Sequence, residues 1–138
     1  MKDLIPILLQ YIKSRQKPAG HVLFIAHNAR CFDAPFLINE FGRCSFEVPT
    51  NWLFMDTLPL AREVMKSRGS KLASKTSLQA LREHYEISLV GSAHRAMSDV
   101  ISLSLILQRL TFDLKLPVSG LVKRSLTASD LIKLKKKN

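Results

Sequence analysis

The sequence predicts an α/β fold in which parallel strands alternate with helices. Two patterns carry that prediction. Apolar residues recur at helical spacing in several segments, and between them lie short runs rich in β-branched and aromatic residues. The order helix, strand, helix, strand, helices is that of a layer of parallel strands joined by helical crossovers. A third observation qualifies the class: only two strands are visible. Two strands cannot cover the apolar faces of so many helices, because stable sheets generally need three or more. The architecture reads as incomplete.

Each element has its own signal. Residues 3–15 carry Ile5, Leu8, Leu9 and Ile12 on one helical face. The turn Pro-Ala-Gly breaks that helix, and HVLFIAH (21–27) follows as a buried strand. A helix is expected over 33–43, a second strand in NWLFMDT (51–57), and a helix in LPLAREVMKS (58–67). SKLASKTSLQALREHY (70–85) holds a helix with Leu78, Leu81 and Tyr85 inward. The longest helix spans 94–111, with Ala96, Val100, Leu103, Leu107 and Leu110 as its inward stripe. From Pro117 onward one or two short helices are expected, and the terminal KLKKKN should fray.

Length and composition bound the function. A chain of 138 residues that is 46% hydrophobic suffices for one domain with an ordinary core. No apolar run approaches the roughly 18 residues of a membrane span, and MKDLIPILLQ reads as an amphipathic helix rather than a signal or transit peptide. Cys31 and Cys44 lack partners at zinc-ligand spacing. The net charge of +10 favours polyanions, either nucleic acid or an anionic membrane surface. The surplus concentrates in residues 62–75 and 112–138; for either run alone, a solvated face is the simpler reading.

Two carboxylates interrupt the apolar pattern. Asp99 falls three residues after Ala96 and four before Leu103, and Asp33 stands three and four residues ahead of Phe36 and Leu37. A core-facing carboxylate needs a cation, donors or a metal. Each also has a plain structural reading. Asp33, just before Ala-Pro, suits a helix N-cap; Asp99 suits a pair with Arg95; His94 suits a surface position, and Asn28 a turn.

Taken together, HNARCFD (27–33) gives Asn-x3-Phe-Asp after a strand, and HRAMSD (94–99) gives His-x4-Asp entering a helix. In that order, with WLFMDTLPLAR between them, the motifs resemble the second and third exonuclease motifs of the DEDDh 3′–5′ exonucleases. That family has a ribonuclease-H-like fold, and the resemblance runs from about Ile5 to Leu110. At finer grain, FDAPFLINEFGRC, NWLFMDTLPLARE and TFDLKLPVSGLVKRSLTASDL are similar to the branch of the family that degrades DNA in plant plastids and mitochondria.

The resemblance implies Asp33 and Asp99 as metal ligands, His94 as the general base, and Asn28, His27 and Phe32 as substrate-binding residues. Carboxylates suit Mg²⁺ or Mn²⁺, and a near-neutral imidazole suits proton abstraction from water. Gly91 and Ser92 ahead of His94 suggest that it rides a loop. The implied partner is DNA, taken at single-stranded 3′ ends, with RNA as the alternative substrate, a homodimer as a compatible assembly and no membrane. The implied compartment is chloroplast or mitochondrion.

One departure limits the implication. The family's first motif, Asp-x-Glu, occurs nowhere in the sequence. The family fold also begins with three strands before its first helix, and this chain begins at that helix. Residues 1–112 are therefore expected to be a partial, C-terminal two-thirds exonuclease domain with an incomplete two-metal site, and 113–138 a basic helical extension. Alone, such a chain should be weak or inactive. The competing function is a non-catalytic nucleic-acid-binding or interaction module that keeps the basic surface. A cysteine hydrolase built on Cys31 and His27 lacks an orienting group and an oxyanion motif.

Overall fold

The computed structural model describes residues 2–67, 76–89 and 96–137. In chain order the elements are α1 (Leu4–Arg15), β1 (Val22–Ala26), α2 (Asp33–Arg43), β2 (Trp52–Asp56) and α3 (Thr57–Ser67). There follow α4 (Leu78–His84), α5 (Ala96–Leu114), α6 (Val118–Lys123), β3 (Leu126–Thr127) and α7 (Ala128–Lys137). They form two compact units, Met1–Met55 with Val122–Asn138, and Asp56–Leu121.

The first unit holds the sheet, in the order β1-β2-β3. Val22 N donates to Asn51 O at 3.0 Å, so the two strands start side by side. The Phe24 ring then lies 4.7 Å from that of Trp52 and 5.5 Å from that of Phe54. Strands that begin together and stay abreast run parallel, as expected. β1 is an edge strand. On the other side of β2 the pairing is antiparallel, Leu53 with Thr127 and Phe54 with Leu126.

β3 corrects the expectation of two strands and of helices alone after Pro117. Two residues are too short to display alternation, and only the neighbouring β2 makes them a strand.

Ile5, Ala34, Phe41, Trp52, Phe54 and Leu131 are buried together, with Leu8, Phe24, Leu37 and Leu126 packed against them. Each large side chain in such a core contributes roughly 1.5–3 kcal/mol by leaving water. Phe41 meets Trp52 edge-on at 5.7 Å. α7 joins this core through Leu131 and packs on α2.

The start of α7 is fixed by a reciprocal cap. Thr127 N donates to Asp130 Oδ2 at 3.1 Å, and Asp130 N donates to Thr127 Oγ1 at 3.0 Å. The Thr127 N–H, then the Thr127 hydroxyl, hold the Asp130 carboxyl below its ordinary pKa. A capped, anchored helix does not need a strong sequence signal to persist. α7 is assigned as helix as far as Lys137.

In the second unit, Asp56 Oδ1 accepts from Leu58 N at 2.9 Å, turning the strand end directly into α3. α3 buries Thr57, Leu60, Ala61, Val64 and Met65, and α5 packs against both α3 and α4. Ser77 caps α4, its hydroxyl accepting from Ala80 N at 3.1 Å. Tyr85 Oη donates to Asp113 Oδ2 at 2.7 Å, tying the end of α4 to α5.

The inward face of α5 differs from the expected stripe. Ser98, Ser102, Ile106 and Leu110 are buried, whereas Ala96 is exposed and Val100 is 58% exposed. The reason is geometric. Small serines let a helix approach its neighbours closely, so hydrophobicity alone misplaces the face by about half a turn at its N-terminal end.

Candidate active site

The candidate residues of the first unit cluster on one loop and one helix start. β1 ends at Ala26, and His27 and Asn28 follow at once. Asn28 adopts φ 62°, a left-handed conformation that asparagine tolerates better than most side chains. Its carbonyl accepts from Cys31 N and Phe32 N, each at 3.2 Å, while Ala29 O accepts from Ala34 N at 2.9 Å. The chain therefore reverses within a few residues and delivers Asp33 at the first position of α2. His27 and Asn28 are half-buried and already bonded within the fold.

Asp33 does not face the core. It is exposed, the residue in the cap position is Phe32, and no side-chain cap bond forms. Both the inward and the N-cap readings are therefore corrected. The inward reading leaned on Phe36, but that ring is 61% exposed; α2 instead buries Ala34 and Phe41. A carboxylate in the first turn still gains from the helix dipole, and an exposed one is free to meet an ion.

Asp99 lies in the second unit, half-buried in the first turn of α5 beside the buried Ser98. Its position on the Ala96–Leu103 stripe is corrected along with that stripe. His94, with Gly91 and Ser92, lies outside the described residues. Asp33 and Asp99 share one feature of placement: each opens a helix from within its first turn. Among the described residues, no three His, Cys, Asp or Glu side chains gather closely enough to hold a metal.

Beside Asp33 opens an apolar pocket of about 580 Å³, lined by Leu8, Phe24, Ala29, Phe32, Phe36 and Leu37 among others. It borders β1, the edge strand. Sequence reading missed this pocket. Its signal was present in the unusual density of phenylalanines around Asp33, but helical spacing had assigned Phe36 to the core.

The exonuclease family model matches residues 13–107, more than half of the chain and the whole stretch from the end of α1 into α5. The chain belongs to the exonuclease family. This exonuclease chain is 54% identical over 138 residues to the Arabidopsis thaliana protein named exonuclease DPD1, chloroplastic/mitochondrial, covering 100% of this chain and 44% of that protein. It is 34% identical over 102 residues to human three prime repair exonuclease 2, and 33% identical over 102 residues to the mouse protein of the same name. Those two alignments cover 71% of this chain and 42% of each relative. The exonuclease chain thus spans less than half the length of the curated relatives it matches. Members of the family are hydrolytic exonucleases that generally use divalent metal ions.

The oxygen donors present suit such an ion, for both candidates are carboxylates and Mg²⁺ prefers hard oxygen ligands. Their number does not complete a two-metal site. Asp33 and Asp99 fit part of a ligand set.

Proposed function

We propose that this chain is the part of a metal-dependent 3′–5′ exonuclease that carries two of its carboxylates and its general base, acting on single-stranded 3′ ends of DNA in a plastid or mitochondrion. The observation that carries the reading is the ordered pair Asn-x3-Phe-Asp and His-x4-Asp, whose aspartates both fall in the first turn of a helix inside the family match. Asp33 and Asp99 would hold Mg²⁺ or Mn²⁺, which when bound supplies positive charge to the scissile phosphate. His94 takes the proton from the attacking water. The water oxygen forms the new bond to phosphorus while the bond to the 3′ oxygen breaks. That oxygen keeps the electron pair and takes a proton from solvent. The products are a 5′-mononucleotide and a shortened strand.

Alone, the chain should hydrolyse slowly or not at all, because no Asp-x-Glu is present to fill the remaining ligand positions. Each missing 1.36 kcal/mol of transition-state stabilisation costs about tenfold in rate. The edge of β1 and the pocket beside Asp33 are suited to an added strand, and such a strand would bring further carboxylates near α2.

The test is rescue. The chain is fused behind a segment from a related exonuclease that carries three strands and Asp-x-Glu, then given 5′-labelled single-stranded DNA with Mg²⁺. The fusion should shorten the DNA stepwise from its 3′ end. Asp33→Asn, Asp99→Asn or His94→Ala should each lower the rate by orders of magnitude with smaller effects on affinity. A folded fusion that binds DNA yet stays inert with both Mg²⁺ and Mn²⁺ would make the chain a binding module instead.

A further inference from the structure

We infer that β1 is a docking edge for a second copy of this chain, the two strands pairing antiparallel about a two-fold axis. The contact is independent of the nuclease reading.

Among the described residues β1 has one neighbour, β2, so its other side is open. Its sequence VLFIA is apolar at every position, the pattern of a strand covered on both faces, yet each residue is only half-buried. β2 beside it buries all but Leu53. Exposed edges are ordinarily guarded by charge, proline or a bulge, and VLFIA carries neither charge nor proline.

The free backbone groups can be named. Val22 N donates to Asn51 O, so Val22, Phe24 and Ala26 turn their backbone groups toward β2, and Leu23 and Ile25 turn theirs outward. In an antiparallel pair about a two-fold axis, Leu23 of each copy exchanges hydrogen bonds with Ile25 of the other. Phe24 then faces Phe24 between them, and apolar meets apolar at every position.

The surroundings of the edge fit the same partner. The pocket of about 580 Å³ touches Phe24, Ile25 and Ala26 in succession. Successive side chains point to opposite faces, so the pocket opens on the edge itself. Among the described residues its walls hold no lysine or arginine, in a chain that has 21, and Asp33 is their one charge. Two chains of net charge +10 can therefore meet here without opposing cations. α1 and α2 pack on the face of the sheet that carries Phe24, Trp52 and Phe54, and an axis perpendicular to the sheet keeps both copies' helices on that side. Leu4, Phe32 and Phe36, which are 55%, 66% and 61% exposed, then lie toward their counterparts. With the edge they offer on the order of 500 Å² per copy, against about 800 Å² in a standard interface, so the dimer is weak, with a Kd on the order of 10 µM.

The purified chain is followed by sedimentation velocity from about 1 to 200 µM, a range that brackets that Kd, and should pass from monomer to dimer. Ile25→Pro removes an outward N–H that β2 does not use, and should weaken the dimer at least about tenfold with circular dichroism unchanged. Phe36→Lys puts a cation on the exposed face and should also weaken it. Phe112→Lys, at a ring 82% exposed in the other unit, should leave it as it is. Added KCl should strengthen the dimer by screening the repulsion between two basic chains. In amide exchange read by NMR, Leu23 and Ile25 should gain protection with concentration, while Phe24 is protected throughout.

A chain that stays monomeric at the highest concentration would overturn the proposal and leave the edge to a strand from elsewhere. So would a dimer indifferent to Ile25→Pro and Phe36→Lys, one weakened equally by Phe112→Lys, or one that salt dissociates. A monomer with an active rescue fusion removes only the dimer, and a dimer with an inert fusion removes only the nuclease reading.

Discussion

Phe41 is the residue through which the core controls the candidate site. It is fully buried, it lies on the inner face of α2, and its ring meets Trp52 edge-on at 5.7 Å. Asp33 begins the same helix. Truncation to alanine removes the ring and leaves a void that Trp52, Ala34 and Ile5 cannot close, costing about 3–5 kcal/mol. Phe41→Leu keeps most of the apolar volume and forfeits the aromatic pair, itself about 0.5–1.5 kcal/mol, so its total cost should be about 1–2 kcal/mol.

Against a total stability of about 5–15 kcal/mol, the leucine variant stays folded and the alanine variant approaches its unfolding midpoint. Urea denaturation followed by Trp52 fluorescence, the sequence containing a single tryptophan, reads both values. The leucine variant of the rescued fusion should also hydrolyse more slowly, because a shift of α2 moves Asp33. Equal midpoints for wild type and Phe41→Ala would refute the packing argument. A destabilised leucine variant with undiminished activity would refute the link from Phe41 to Asp33.

Two further outcomes test local features. Gly42 lies inside α2 with no atom within 4 Å of where a Cβ would stand, so Gly42→Ala should stabilise by about 0.5–1 kcal/mol, read as a higher urea midpoint; a lower midpoint would contradict the open space. The Asp130 carboxyl is held below its ordinary value of 3.8 in the fold, so the cap's contribution is present above that value and is lost as pH falls through the lowered folded pKa. Carbon NMR of that carboxyl should titrate below 3.8, and Thr127→Ala should return it toward that value.

Much of this fold was legible because its strongest signals are local. α2 occupies 33–43 as expected, and β2 and α3 follow the apolar run and helical spacing of WLFMD and LPLAREVMKS. What stayed hidden depends on neighbours. Two residues at Leu126–Thr127 become a strand only because β2 offers Leu53 and Phe54 as partners. Ser98 and Ser102 read as polar positions, yet they form the close side of α5. Phe36 reads as core by spacing, yet it borders a pocket on the open side of β1.

That last misreading bears directly on Asp33. A carboxylate buried among apolar side chains would require compensation on the spot, and the motif could then be dismissed as a structural ion pair. An exposed carboxylate at a helix start, beside an unpaired strand edge and an apolar pocket, carries no such internal demand. Among the described residues nothing donates a hydrogen bond to it. Removing it should therefore cost the fold little, whereas removing Phe41 costs it much. The two substitutions separate what the core needs from what the chemistry needs. Asp33 is chemically expensive only when an ion and a phosphate are present, and for that reason its role is legible in a rate and not in a melting curve.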